Sequence, residues 1–258
     1  SYISSGYEQL FYMMLEKSQD VNLKMKGAVS LLHKVAEWGD LKAFTLLVEK
    51  HGARLQNNET YKGWNPLHVA VWYENFAVAE YILKQNVIDV EQGTRSQGLR
   101  PLHMAYLQRN SRIANLLMGA GASLNAVNIM GQTPVHFAAR RYGSLFWHDL
   151  LGRQASLARF DHHGYSPIHA ALHSLSNFYS YTTRRGFGFG FAVVRSYCYG
   201  RPSFAPLDLL SRESDPDNLH SIIRQHYKHG TTIVHECARW GSYLTMVMRQ
   251  ATKGSNAL

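Results

Sequence analysis

The chain has 258 residues, 14 of them histidine, with cysteines at Cys198 and Cys237 only. Imidazoles and thiols are the side chains best able to hold a metal or move a proton near neutral pH. His226, His229, His235 and Cys237 lie within twelve residues and superficially resemble a zinc set. His162 and His163 follow Asp161, and Cys198 sits between Tyr197 and Tyr199 with Arg195 nearby. No other catalytic signature accompanies them. The chain lacks Cys-x-x-Cys, His-Glu-x-x-His, Gly-x-Ser-x-Gly and a phosphate-cradling glycine motif that opens a helix. Cys198 therefore reads as a packed or loop thiol rather than a nucleophile.

The spacing of the histidines points away from chemistry. His33, His68, His103, His136, His169 and His235 are separated by 35, 35, 33, 33 and 66 residues. Each closes a short block: Ser30-Leu31-Leu32-His33, Asn65-Pro66-Leu67-His68, Arg100-Pro101-Leu102-His103, Thr133-Pro134-Val135-His136, Ser166-Pro167-Ile168-His169 and Thr232-Ile233-Val234-His235. The last step is twice 33. It predicts a further block in the gap, found as Ala205-Pro206-Leu207-Asp208 with its register displaced. A fixed period of this length is the mark of a repeat array, and it claims His235 and Cys237 for the repeat rather than for zinc.

Each block reads as the start of a helix. Ser, Asn or Thr in first place suits an N-cap, and proline in second place loses nothing by lacking an N–H. Small residues follow, at Ala36, Ala70, Ala105, Ala138, Ala170 and Ala238. A second helix is expected in most units, for example near Ala79–Lys84, Ile113–Met118 and Leu145–Leu151. Gly39, Gly143 and Gly241, with Asn75 and Asn110, are expected at the left-handed turn between the two helices.

These blocks resemble the ankyrin repeat, whose units carry a Gly-x-Thr-Pro-Leu-His-x-Ala-Ala pattern and end in Gly-Ala-Asp-x-Asn. The likeness runs over nearly the whole chain, although the first block lacks the proline and the last has Ile233 in its place. The resemblance implies an all-α solenoid of about six units. It divides the chain into an N-terminal half repeat or cap (1–24), regular repeats (25–177), an insertion (178–204) and degenerate and C-terminal repeats (205–258). It also implies that the block histidines tie one unit to the next by hydrogen bonds. Asp161-His162-His163-Gly164 is similar to an acyltransferase motif that accompanies ankyrin repeats in some membrane enzymes, but it lacks the cysteine of that motif.

Partners of this family bind along a concave face. The resemblance places on it the fourth and fifth residues after each histidine and the fourth, sixth and seventh before it. Here those positions include Trp38, Lys62, Trp64, Trp72, Tyr73, Arg140, Arg141, His163, Tyr165, His173, Arg239 and Trp240. Four of the five tryptophans fall on the face, and Trp, Tyr and Arg are the residue types that anchor protein interfaces. The early units are aromatic and the middle units cationic, which suits a partner with an apolar anchor and an acidic segment.

The insertion holds nine Phe or Tyr residues, four arginines and no acid. Its centre, Arg184-Arg185-Gly186-Phe187-Gly188-Phe189, joins the list of expected contacts through Arg184 and Arg185. Interleaved basic and aromatic groups can also stack on bases, and the Phe side chains can equally fill a local gap in the core.

Composition bounds the function. A net charge of +9 and 45% hydrophobic residues describe a chain able to build a core rather than a disordered basic tail. No apolar run reaches a membrane span, and nothing at the start reads as a signal peptide. Two cysteines make no disulfide framework, so the expected setting is reducing: cytoplasm or nucleus, or host cytosol for a secreted effector. The expected function is non-catalytic and cofactor-free binding of a specific protein, as scaffold, recruiter or masking factor. The alternatives are a nucleic-acid or anionic-lipid binder using the basic face, and the non-catalytic part of a larger enzyme.

Overall fold

The computed structural model describes Asn22, Thr60, Ser156 and residues 28–55, 62–139 and 159–167. It divides into two compact units, residues 1–129 and 130–258. The first contains three helix pairs: α1 (Leu31–Trp38) with α2 (Leu41–Glu49), α3 (Pro66–Trp72) with α4 (Phe76–Lys84), and α5 (Pro101–Leu107) with α6 (Ser111–Gly119). In the second, α7 (Pro134–Ala139) is the helix among the described residues. The expected segment Leu145–Leu151, the fifth block from Ile168 onward, the blocks around Asp208 and His235, and the insertion at 178–204 lie outside the described residues, as does 1–24 apart from Asn22.

These helices have nine residues or fewer. Isolated helices shorter than about 12 residues barely form in water, so each must gain its stability by stacking. Within the first unit α1 packs on α3 and α3 on α5, while α2, α4 and α6 form a second row behind them. Leu32, Val35 and Ala36 of α1 meet Ala43, Phe44 and Leu47 of α2 in a fully enclosed layer. Leu67, Ala70 and Val71 with Val78 and Ile82 repeat that layer, and Leu102, Met104 and Tyr106 with Ile113 and Leu117 repeat it again. The outer row is also joined by side chains. The Phe44 and Tyr81 rings meet edge to face at 5.9 Å, and the Arg112 guanidinium lies 3.8 Å over Phe76.

The turn between paired helices differs from the sequence expectation in one respect. Gly39 takes the left-handed conformation as expected (φ 77°), but Asn75 and Asn110 do not. The left-handed residues there are Glu74 (φ 60°) and Arg109 (φ 61°), each one position earlier. Asn75 and Asn110 are instead the N-caps of α4 and α6, like Asp40 for α2. The reason is the work done by their amides. Asn110 Oδ1 accepts the Ile113 N–H, and Asn75 Nδ2 reaches back to the carbonyls of Ala36 and Glu37 at 2.7 and 2.9 Å. A Cβ on Gly39 would stand 2.3 Å from Asn75 Oδ1, so glycine is required there by space as well as by φ.

Candidate protein-docking face

The block histidines set the frame. The Ser30 backbone N–H donates to His33 Nδ1 at 3.2 Å, and the Asn65, Arg100 and Thr133 N–H groups do the same for His68, His103 and His136. With Nδ1 accepting, the ring proton belongs on Nε2. That Nε2 donates to a carbonyl in the following turn: His33 to Trp64, His68 to Gln92 and His136 to Tyr165, each at 3.0 Å. All four rings are buried. Burial pushes the His68 imidazole down to about 4, against a smaller upward pull from the Leu99 and Gln92 carbonyls, and His33 nearby lowers it further. Burial likewise lowers His136, opposed by the Tyr165 carbonyl and by Asp161. His33, His68 and His136 thus have both ring nitrogens committed to structural hydrogen bonds and none spare for a metal.

The turns that receive these bonds share a construction. Thr60 Oγ1 accepts the Trp64 N–H, Thr94 Oγ1 accepts that of Leu99, and Asp161 Oδ1 accepts that of Tyr165. The middle turn is one residue longer than the other two. Neighbouring tips are joined along the backbone within each unit: the Arg95 N–H donates to Lys62, Ile129 to Gln97, and His162 to Met130.

On this frame the first unit carries an aromatic cluster. The Trp64 and Trp72 rings are half-buried and pack together, 5.5 Å between centroids and tilted by 59°. Their backbones are held from both sides: the Trp64 carbonyl takes His33 Nε2, and the Trp72 carbonyl takes Gln108 Nε2 at 3.1 Å. Trp38 and Tyr73 stand further out, 43% and 48% exposed. Partial burial raises the Tyr73 phenol above its ordinary value, and Glu37 raises it further by its charge and by accepting a hydrogen bond from the hydroxyl. Glu37 also pairs with Lys34 at 2.9 Å. Lys62 is exposed on the tip beside Trp64, next to the tip that carries Arg95.

The structure thus brings Trp64 and Trp72 into direct contact and leaves Trp38 and Tyr73 open to solvent. Packing between Trp64 and Trp72 makes them partly structural, a pairing that their sequence positions did not show. Gln108, at a face position, turns out to hold the backbone of Trp72. Lys34 and Glu37 complete the surroundings of Tyr73, and their i, i+3 spacing on a helix was the signal for them. In the second unit His163 and Tyr165 share one tip and are both exposed, with the Tyr165 carbonyl committed to His136. His162 lies close against Gly131. Arg140, Arg141, His173, Arg184, Arg185, Arg239 and Trp240 lie outside the described residues, as do Cys198, Cys237 and the histidines at 226, 229 and 235. Among the described residues no three metal-ligating side chains gather in one place, and no helix is long and apolar enough to cross a membrane.

Short helix pairs tied together by buried histidines define a helical repeat array. The comparisons with known proteins agree. A family model for ankyrin repeats matches residues 2–94 in three copies. The NF-kappa-B p105 subunit of Mus musculus is 36% identical over 77 residues, which is 30% of this chain and 8% of that protein. The p105 subunit of Gallus gallus is 30% identical over 128 residues, 48% of this chain and 13% of its own length. Residues 2–94 thus carry ankyrin repeats, helical modules that generally mediate protein–protein interaction and are typically non-catalytic, and the described elements of the chain are all helices. The matched segments are a small part of both relatives.

Proposed function

We propose that the chain binds one specific protein partner through the face that carries Trp38, Trp64, Trp72 and Tyr73, and that it acts as a scaffold, recruiter or masking factor. The observation that supports this most is the pair of large exposed rings, Trp38 and Tyr73, beside a tryptophan pair whose backbone is fixed by neighbouring repeats. Exposing such rings costs solubility unless a partner covers them. A fixed surface also loses little entropy on binding. Lys62 and the tip bearing Arg95 give the face a cationic border, which suits acidic groups on the partner. On this reading Arg140, Arg141, His163, Tyr165, His173, Arg239 and Trp240 extend the contact surface, with Arg184 and Arg185 in the insertion. The setting is the inside of a cell, or host cytosol if the protein is a delivered effector.

The test compares the native protein with a Trp38→Ala/Tyr73→Ala variant and with Lys50→Ala, on the opposite helix row, as bait in a eukaryotic lysate. The strongest captured protein is then purified and titrated directly. The double variant should weaken binding by about tenfold or more, while Lys50→Ala should leave it unchanged. Equal affinity for all three would reject the face. A loss of affinity by several orders of magnitude between low and moderate salt would instead indicate phosphate contacts and a nucleic-acid ligand.

A further inference from the structure

Two residues at the helix ends share a backbone conformation but not a use. Glu74 and Arg109 each stand six residues after a block histidine, in the place that Gly39 takes in the first repeat. Both are left-handed, at φ 60° and 61°, a conformation that strains any residue with a Cβ. Glu74 has a use within the fold: its carboxylate accepts a hydrogen bond from Asn110 Nδ2 at 3.1 Å. Arg109 has none there. It is exposed, and among the described residues its side chain makes no hydrogen bond, ion pair or ring contact. A strained position filled by a side chain that the fold does not use points to a use outside the fold.

The bonds on either side of Arg109 fix where it sits. Gln108 Nε2 donates to the Trp72 carbonyl and Asn110 Nδ2 to Glu74 Oε2, each at 3.1 Å. The residues before and after Arg109 are thus bonded to the residues before and after Tyr73. Arg109 therefore lies beside Tyr73, where α5 packs on α3, and carries the face into the third repeat. The Tyr73 hydroxyl is already bonded to Glu37, and about half of the residue is open to solvent. An exposed ring beside an uncommitted guanidinium fits an apolar side chain next to an oxyanion. The planar fork of arginine takes carboxylate and phosphate alike. The Glu74 carboxylate, held on Asn110, repels a phosphate dianion more strongly than a single carboxylate. We infer that Arg109 is a specificity-determining contact residue of the docking face, and that it takes the carboxylate of an Asp or Glu next to an apolar residue lying on Tyr73. This rests on the docking face proposed above and names the chemistry that the face selects.

The test pans a random-peptide display library on the full chain and on its Arg109→Gly and Tyr73→Ala variants. Peptides selected by the native chain should be enriched in Asp or Glu next to a large apolar residue. Arg109→Gly should lose the preference for the acid, and Tyr73→Ala the preference for the apolar neighbour. The best native-selected peptide is then made with its acid as Glu, Gln or phosphoserine and titrated by fluorescence anisotropy. Gln in place of Glu should weaken binding to the native chain by about tenfold and leave binding to Arg109→Gly unchanged. The phosphoserine peptide should bind no more tightly than the Glu peptide. Glycine suits the left-handed conformation, so Arg109→Gly should melt at or above the native temperature while its affinity falls; an arginine with a merely structural role would not separate the two. Arg109→Gln is the second variant if Arg109→Gly unfolds. No enriched peptide, no enrichment of acid, or the same enrichment on Arg109→Gly would overturn the inference, as would tighter binding of the phosphoserine peptide. If it is overturned while the captured protein still depends on Trp38 and Tyr73, this inference fails and the docking face stands. If that dependence is absent too, both fail.

Discussion

Two rows of residues cross the same three helices of the first unit, and they are built on opposite rules. At the helix starts His33, His68 and His103 repeat one residue type in one geometry, buried, with Nδ1 taken up by the N-cap N–H of the same helix. At the helix ends the residues change from repeat to repeat: Glu37-Trp38, then Trp72-Tyr73, then Leu107-Gln108. The first two pairs expose aromatic rings, whereas in the third Gln108 turns back to hold the Trp72 carbonyl. What repeats therefore specifies the fold, and what fails to repeat is available to specify a partner. Only four or five residues separate the two rows, so substitutions in each should affect different measurements.

The largest stability effect is expected in the buried row. His68→Ala removes an acceptor for the Asn65 N–H and a donor to the Gln92 carbonyl, and it opens a void where the ring is wholly enclosed. Urea unfolding should show a loss of about 2–4 kcal/mol. Acid should act on the same tie. Burial holds the folded His68 imidazole down at about 4, well below the ordinary histidine range near 6.5, so the unfolded chain takes up the proton first as pH falls. Stability is fully present above pH ~6.5 and should decline by on the order of 3 kcal/mol toward pH ~4. His136, shifted in the same direction, adds to the decline. The urea midpoint measured across that range should fall with acid, and the slope should flatten in His68→Ala.

The turns between helices give a sharper and smaller contrast. Gly39→Ala forces a side chain into a left-handed position and against Asn75 Oδ1, at an expected cost of about 1–3 kcal/mol in thermal or urea unfolding. Arg109 holds the equivalent position in the third repeat with φ 61°. Arg109→Gly should be neutral or stabilising by up to about 1 kcal/mol. A clear destabilisation there would mean that the arginine side chain contributes more to the fold than its backbone costs.

These contrasts also show what the sequence discloses and what it withholds. The helix starts were legible because capping is local: Ser30, Asn65 and Thr133 stand where a polar N-cap is needed. That the histidines belong to a repeat was legible through their spacing, and their tying role followed from the resemblance that the repeat carries. The left-handed residues were not, because Glu74 and Arg109 have no local preference for that conformation. The duties of Asn75 depend on Ala36 and Glu37, nearly forty residues away. The same holds at the candidate site. The sequence positions of Trp38 and Tyr73 marked them as expected contact residues, and both are exposed, but the contact between Trp64 and Trp72 and the diversion of Gln108 to a backbone carbonyl are tertiary facts with no periodic signature.

The smallest stability effect should come from the exposed row, and there it should accompany the largest loss of binding. The central claim is tested most directly by measuring the unfolding free energy and the partner Kd together, for the native chain and for Trp38→Ala/Tyr73→Ala. Surface positions of this kind usually change stability by no more than about 0.5 kcal/mol. The account predicts stability within that range and a Kd raised by about tenfold or more. An unchanged Kd with intact folding would contradict it.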